Sequence, residues 1–187
     1  MKILAILFIA GTAFAFPAPT QGTQKPNCSA QQVQQLSDGI QANLDIQKQE
    51  LQGVLSLQQL VHAANNSTQN AGNATSTNSC TPSEAQAQAE GEFVSEQKKV
   101  LDIQTKGIQI RAENQKIAAQ LNSPAASGLA VVAMAQVLEM MQVQMLKGGG
   151  NNDVKLLNML VKEVNDGTKQ NEMNKMAAES QQCEANQ

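Results

Sequence analysis

An all-α fold, an antiparallel bundle of about four amphipathic helices, follows from three features of the sequence. The core must be built from Leu, Ile, Val, Met and Ala, because aromatic residues make up only 2% of the chain and Trp and Tyr are absent. Those residues, mixed with abundant Gln, Glu and Lys, favour helix over strand. In four segments the apolar residues recur at three- and four-residue steps, as one face of a helix requires. The second and third segments are joined by only a few residues, as are the third and fourth, so neighbouring helices run antiparallel. Stretches of the first two segments also suit a 3.5-residue seam. The alternative architecture is therefore an extended coiled-coil hairpin plus a shorter helical pair.

Residues 1–15 read as an export signal. Lys2 supplies the positive start, Ile3 to Ala10 the apolar stretch, and Ala13-Phe14-Ala15 the small-x-small cleavage pattern. The apolar run is too short to span a bilayer. The chain is expected to be exported, with no transmembrane anchor after cleavage. Residues 16–28 contain Pro17, Pro19, Gly22 and Pro26 and read as a flexible lead-in.

A single helical domain is expected over 29–183, followed by a tail at 184–187. The first helix spans Ser29 to His62 with Ser29 as its N-cap, and its face carries Val33, Leu36, Ile40, Leu44, Leu51, Val54, Leu55 and Val61. Residues 63–80 are rich in Asn, Ser, Thr and Gly and read as a loop. That loop holds sequons at Asn65, Asn66 and Asn73, candidates for N-glycosylation in an exported chain. Signal and sequons together point to a eukaryotic glycoprotein.

Thr81-Pro82-Ser83-Glu84 opens the second helix, and Pro124 stops it near Leu121. Phe93, Val100, Ile103, Ile110, Ile117 and Leu121 mark its face, with a bend expected near Gly107. The third helix, about Ala125 to Lys147, is the most apolar stretch. Gln136, Glu139, Gln142 and Gln144 interrupt it, which argues against a membrane span. It is expected to be the central, most buried helix. Gly148-Gly149-Gly150 ends it, and Asn152 or Asp153 is expected to cap the fourth helix, Val154 to Gln181. Leu156, Leu157, Leu160, Val161 and Val164 form the buried face of that helix. Its polar end, from Gly167 on, is expected to fray.

Each of the three cysteines flanks a helix end, which in an exported protein suggests stapling. In an up-down-up-down bundle Cys28 and Cys183 fall at the same end and Cys80 at the other. The favoured pair is Cys28–Cys183; Cys28–Cys80 competes. The leftover cysteine is either free or links a disulfide-bonded dimer.

The residues offer little chemistry. His62 is the only histidine and sits beside a polar loop. No Gly-x-Ser-x-Gly elbow, Glu-x-x-His pair, zinc spacing or calcium ladder is present, so no catalytic, cofactor-binding or metal-binding residues are assigned. The net charge of -3 argues against nucleic acid as a partner. One feature suggests a binding site. Met134, Val137, Leu138, Met141, Met145 and Met159 could form an adaptable lining for an apolar ligand. The expected function is non-catalytic: an effector-like or envelope-associated protein acting through an extracellular protein partner, with a polar Gln- and Asn-rich exterior. Two alternatives are a carrier of lipid or another apolar ligand and an amphipathic surface-coating or structural protein.

Overall fold

The structure is a computed structural model that describes residues 28–71 and 84–183. Its elements are four helices: α1 (Ala30–Ala71), α2 (Glu84–Leu121), α3 (Ala126–Met145) and α4 (Asn151–Glu179). No strand occurs among the described residues. α1 packs against α2 and α4, and α3 closes the bundle by packing against the same two helices. The four-helix bundle is therefore the observed fold. The expected export signal, most of the expected lead-in, Asn73, Cys80 and the tail lie outside the described residues.

Ser29 caps α1 as its position suggests. Its Oγ accepts from the Gln32 amide at 3.2 Å and donates to Gln32 Oε1 at 3.1 Å, a close relative of the capping box. The helix does not stop at His62. It continues to Ala71, so the first part of the expected loop, with Asn65 and Asn66, is helical. A tertiary contact helps to hold this extra stretch: Asn65 Oδ1 accepts from the Gly150 amide at 2.7 Å. The α4 N-terminus thus receives its cap from α1. Asp153 takes a different role from the expected one. It sits in the first turn of α4, is buried, and accepts from the Lys147 and Gly149 amides at 2.8 and 3.0 Å. These bonds pin the turn, where Gly148 and Gly150 adopt φ of 89° and 87°.

α2 runs unbroken through Gly107. A Cβ there would collide with the Arg111 guanidinium, so the glycine makes room for that side chain rather than bending the helix. α4 does not fray after Gly167: Asn171, Asn174 and Ala178 are buried on the same face as Leu157, Leu160 and Val164.

Two apolar cores stand at opposite ends of the bundle. One gathers Val54, Leu57, Val61, Phe93, Val100, Val143, Leu146, Leu157 and Leu160. The other gathers Leu36, Ile40, Ile117, Ala118, Leu121, Ala125, Leu129 and Ala178. The second core lies beneath a Cys28–Cys183 disulfide, whose Cα atoms are 5.2 Å apart across a sequence separation of 155. Gln181 Nε2 bonds the Leu121 carbonyl at 2.8 Å and ties the same end to the α2–α3 turn.

Replacing Cys28 and Cys183 by Ala is expected to destabilise the bundle by about 3–5 kcal/mol, through release of a very long closed loop in the unfolded chain. Urea unfolding of the two forms checks this. A difference within error would mean that the helices hold the ends together without the bridge.

Candidate interaction surface

Between the two apolar cores lies a polar layer to which all four helices contribute. Asn43, Gln47 and Glu50 come from α1, and Gln104, Arg111 and Asn114 from α2. Gln136 and Glu139 come from α3, Asn171 and Asn174 from α4, and all are buried. Glu50 Oε1 accepts from Gln104 at 2.8 Å and from Gln136 at 3.1 Å, while Arg111 donates to Gln136 Oε1. Asn171 donates to Gln47 at 2.9 Å and links α4 to α1. Part of the expected Gln- and Asn-rich exterior is therefore inside.

The electrostatics follow from burial. Glu50 is fully buried and its carboxyl is held above the ordinary carboxylate range, with the hydrogen bonds from Gln104 and Gln136 and the charge of Arg111 opposing the shift. Burial, reinforced by the negative charge of Glu50, pushes Glu139 up to about 8, against the pull of Arg111. Burial lowers Arg111 in turn, and the two glutamates oppose that. One guanidinium thus faces two interior carboxyl groups.

This layer dictates how α3 faces. Its inward residues are Leu129, Val132, Gln136, Glu139 and Val143. The expectation that α3 is the most buried helix fails, because its inner face is spent on two polar side chains as well as apolar ones. Its most apolar stripe points to solvent: Val131, Met134, Val137, Leu138, Met141 and Met145 are between 53% and 74% exposed. Met159 of α4, half exposed, lies one turn before Glu163, whose carboxylate accepts from Gln142 of α3 at 3.2 Å. All six residues expected to line an apolar ligand site, Met134, Val137, Leu138, Met141, Met145 and Met159, are thus brought together on the outside. The two described surface concavities are lined by other residues, Ser56, Gln59 and Glu92 among them in one, Val33, Ser37 and Glu179 in the other.

The apolar surface continues onto α2. Gln97 donates to the Val143 and Leu146 carbonyls at 2.7 and 3.2 Å, which fixes the α3-facing side of α2. Val94 and Leu101 stand three residues before and four after Gln97, hence on that same side, and Ile108 follows Leu101 by seven. Val94 and Ile108 are exposed, and Leu101 is half-buried against the core. On α3, Gly128 and Gln142 look toward α4. Val137 and Met141 lie on the opposite flank, beside α2. The result is one two-helix face whose α3 half is apolar and uncharged from Val131 to Met145, and whose α2 strip carries Lys98, paired with Asp102, between Val94 and Leu101. Its α2 strip was missed in the sequence. The seven-residue spacing of Val94, Leu101 and Ile108 was the available signal.

His62 is exposed at the far part of α1. Among the described residues no group of three His, Cys, Asp or Glu side chains is placed to hold a metal ion. The chain matches no protein-family model, no curated protein and no solved structure.

The Glu139 shift has a measurable consequence. In the unfolded chain this group loses its proton near 4.5, and in the fold it keeps it to about 8. The folded state therefore binds more protons across that window, and stability falls as pH rises through it. Glu139→Gln is expected to flatten much of this slope and to be more stable than wild type at high pH, by on the order of a few kcal/mol. Urea unfolding at about pH 5 and about pH 8.5 checks the sign; a wild type equally stable at both would overturn it.

Proposed function

We propose that this chain is a secreted, non-catalytic binding protein that docks an apolar partner surface on the α2–α3 face. The observation that carries the reading is the outward stripe of α3. Monomeric soluble proteins rarely leave more than a few hundred Å² of contiguous apolar surface in water, and larger patches mark interaction sites. The methionines in the stripe suit such a role, because flexible thioethers adapt to a partner's contours. Export rests on the Lys2 to Ala15 leader and places the partner outside the cell. A carrier of apolar ligands would need these side chains around an interior cavity, and they stand on the surface instead.

A photo-cross-linking residue at Val137 is expected to capture a defined protein in the culture medium. The same residue at Lys48, on the diagonally opposite α1, should capture none. Leu138→Glu should weaken that capture at least about tenfold, as loss of a central apolar contact does. Equal labelling from both positions would overturn the reading.

The reading also distinguishes the two adjacent sequons. Made through a eukaryotic secretory route, the protein is expected to carry its glycan at the exposed Asn66 rather than at Asn65, whose amide oxygen is engaged by Gly150. Glycopeptide mass spectrometry checks this, and occupancy of Asn65 alone would contradict it.

A further inference from the structure

The size and chemistry of the α2–α3 face identify one occupant. We propose that it is a second copy of this chain, docked so that the two α3 helices run antiparallel. The inference rests on the reading of this face as a docking surface and names its partner.

Along the outer side of α3 the apolar residues step by three and four: Val131, Met134, Leu138, Met141, Met145. That is the spacing of a coiled-coil seam, and it lies opposite the seam that α3 turns to its own bundle. In a water-facing coiled coil the positions beside the seam carry Glu and Lys, which select partner and orientation. Here they are Ala130, Ala135, Val137, Gln142 and Gln144. The sole charged residue of α3, Glu139, is turned inward. Along the α3 seam two identical copies therefore meet without a like-charge pair, the obstacle that ordinarily keeps copies apart.

Area supports the same occupant. At the observed exposures the α3 stripe, Met159 and the α2 strip offer at most roughly 800 Å² per copy, so a two-fold pair has up to about 1,600 Å² to bury, within the size range of specific interfaces. A face that is self-complementary about a two-fold axis closes on itself and leaves no half free to form a chain of copies. Volume sets the direction. The small flanks Ala130 and Ala135 lie in the first half of α3, and Met141 and Met145 in the second. Antiparallel pairing sets Met145 of each copy against Met134 of the other, and the small flanks Ala130 and Ala135 beside them leave room for the two flexible thioethers. A bilayer is disfavoured as the occupant because the α3 stripe presents no Lys or Arg to lipid headgroups, the one lysine of the α2 strip, Lys98, is paired with Asp102, and the chain is net negative.

The test uses the full secreted chain carrying Cys80→Ser, so that the leftover thiol cannot link copies. Light scattering from about 1 to about 100 µM is expected to give twice the chain mass, and the Leu138→Glu, Met141→Glu double variant the single mass with unchanged helical circular dichroism. Orientation is read by disulfide trapping. Met134→Cys mixed with Met145→Cys should cross-link, and neither alone should do so efficiently. Self-linking of each variant alone would overturn the antiparallel arrangement. A wild type that stays monomeric overturns the second copy as occupant, and binding to phosphatidylcholine vesicles then separates two outcomes. If the vesicles bind wild type and the double variant does not, the docking face stands with another partner. If vesicle binding is absent and the Val137 photo-cross-link is also absent, the docking face falls as well.

Discussion

The fold depends on the interior arrangement of Arg111 with Glu50, Gln136 and Glu139. The buried guanidinium donates from Nη2 to Gln136 of α3 and lies in the field of Glu139 on α3 and Glu50 on α1, while its Nε and Nη1 have no hydrogen-bond partner among the described residues. Turning Gln136 away would leave the buried guanidinium without its hydrogen-bond acceptor, and an uncompensated buried charge costs roughly 3–5 kcal/mol. α3 is consequently not free to choose its inward face by hydrophobicity alone.

The balance can be judged by comparing the two faces of α3. Turned by half a circle, the helix would bury the Met134–Met145 stripe, but it would expose Leu129, Val132 and Val143. Each full burial contributes roughly 1.5–3 kcal/mol, so the exchange gains only the small surplus of the outer stripe over the inner one. That surplus is of the same size as the cost of stranding Arg111 and Glu50. Gly107 and the hydrogen bonds of Gln136 then favour the observed orientation. The exposed stripe is thus a consequence of the polar layer, and the possibility of docking follows from both.

Much of the architecture was legible because helix faces leave a periodic record. Leu36, Ile40, Val54, Val61, Val100, Leu157 and Leu160 stand in the core where their spacing puts them, and the Cys28–Cys183 pairing follows from counting helix directions. The orientation of α3 was not legible. Two seams of three- and four-residue steps wind along that helix, and periodicity alone does not say which one meets the bundle. The decision came from Arg111, some twenty-five residues earlier in the chain, and a contact at that separation leaves no local pattern. The persistence of α1 past His62 and of α4 past Gly167 has the same origin. Asn65 is engaged by Gly150 and Asn171 by Gln47, so residues that read as loop formers serve as tertiary partners.

The Cys28–Cys183 bridge gives the described domain the topology of a closed ring, with the backbone as one arc and the disulfide as the clasp. Cutting the backbone once in any inter-helix connection opens the ring but releases nothing, because both new pieces stay joined through the clasp. A protease must therefore cut twice, or cut once and meet a reductant, before any helix can leave. The connection between α1 and α2 is the longest of the three, and a single nick there would yield a two-chain molecule whose four helices remain tethered at the opposite end.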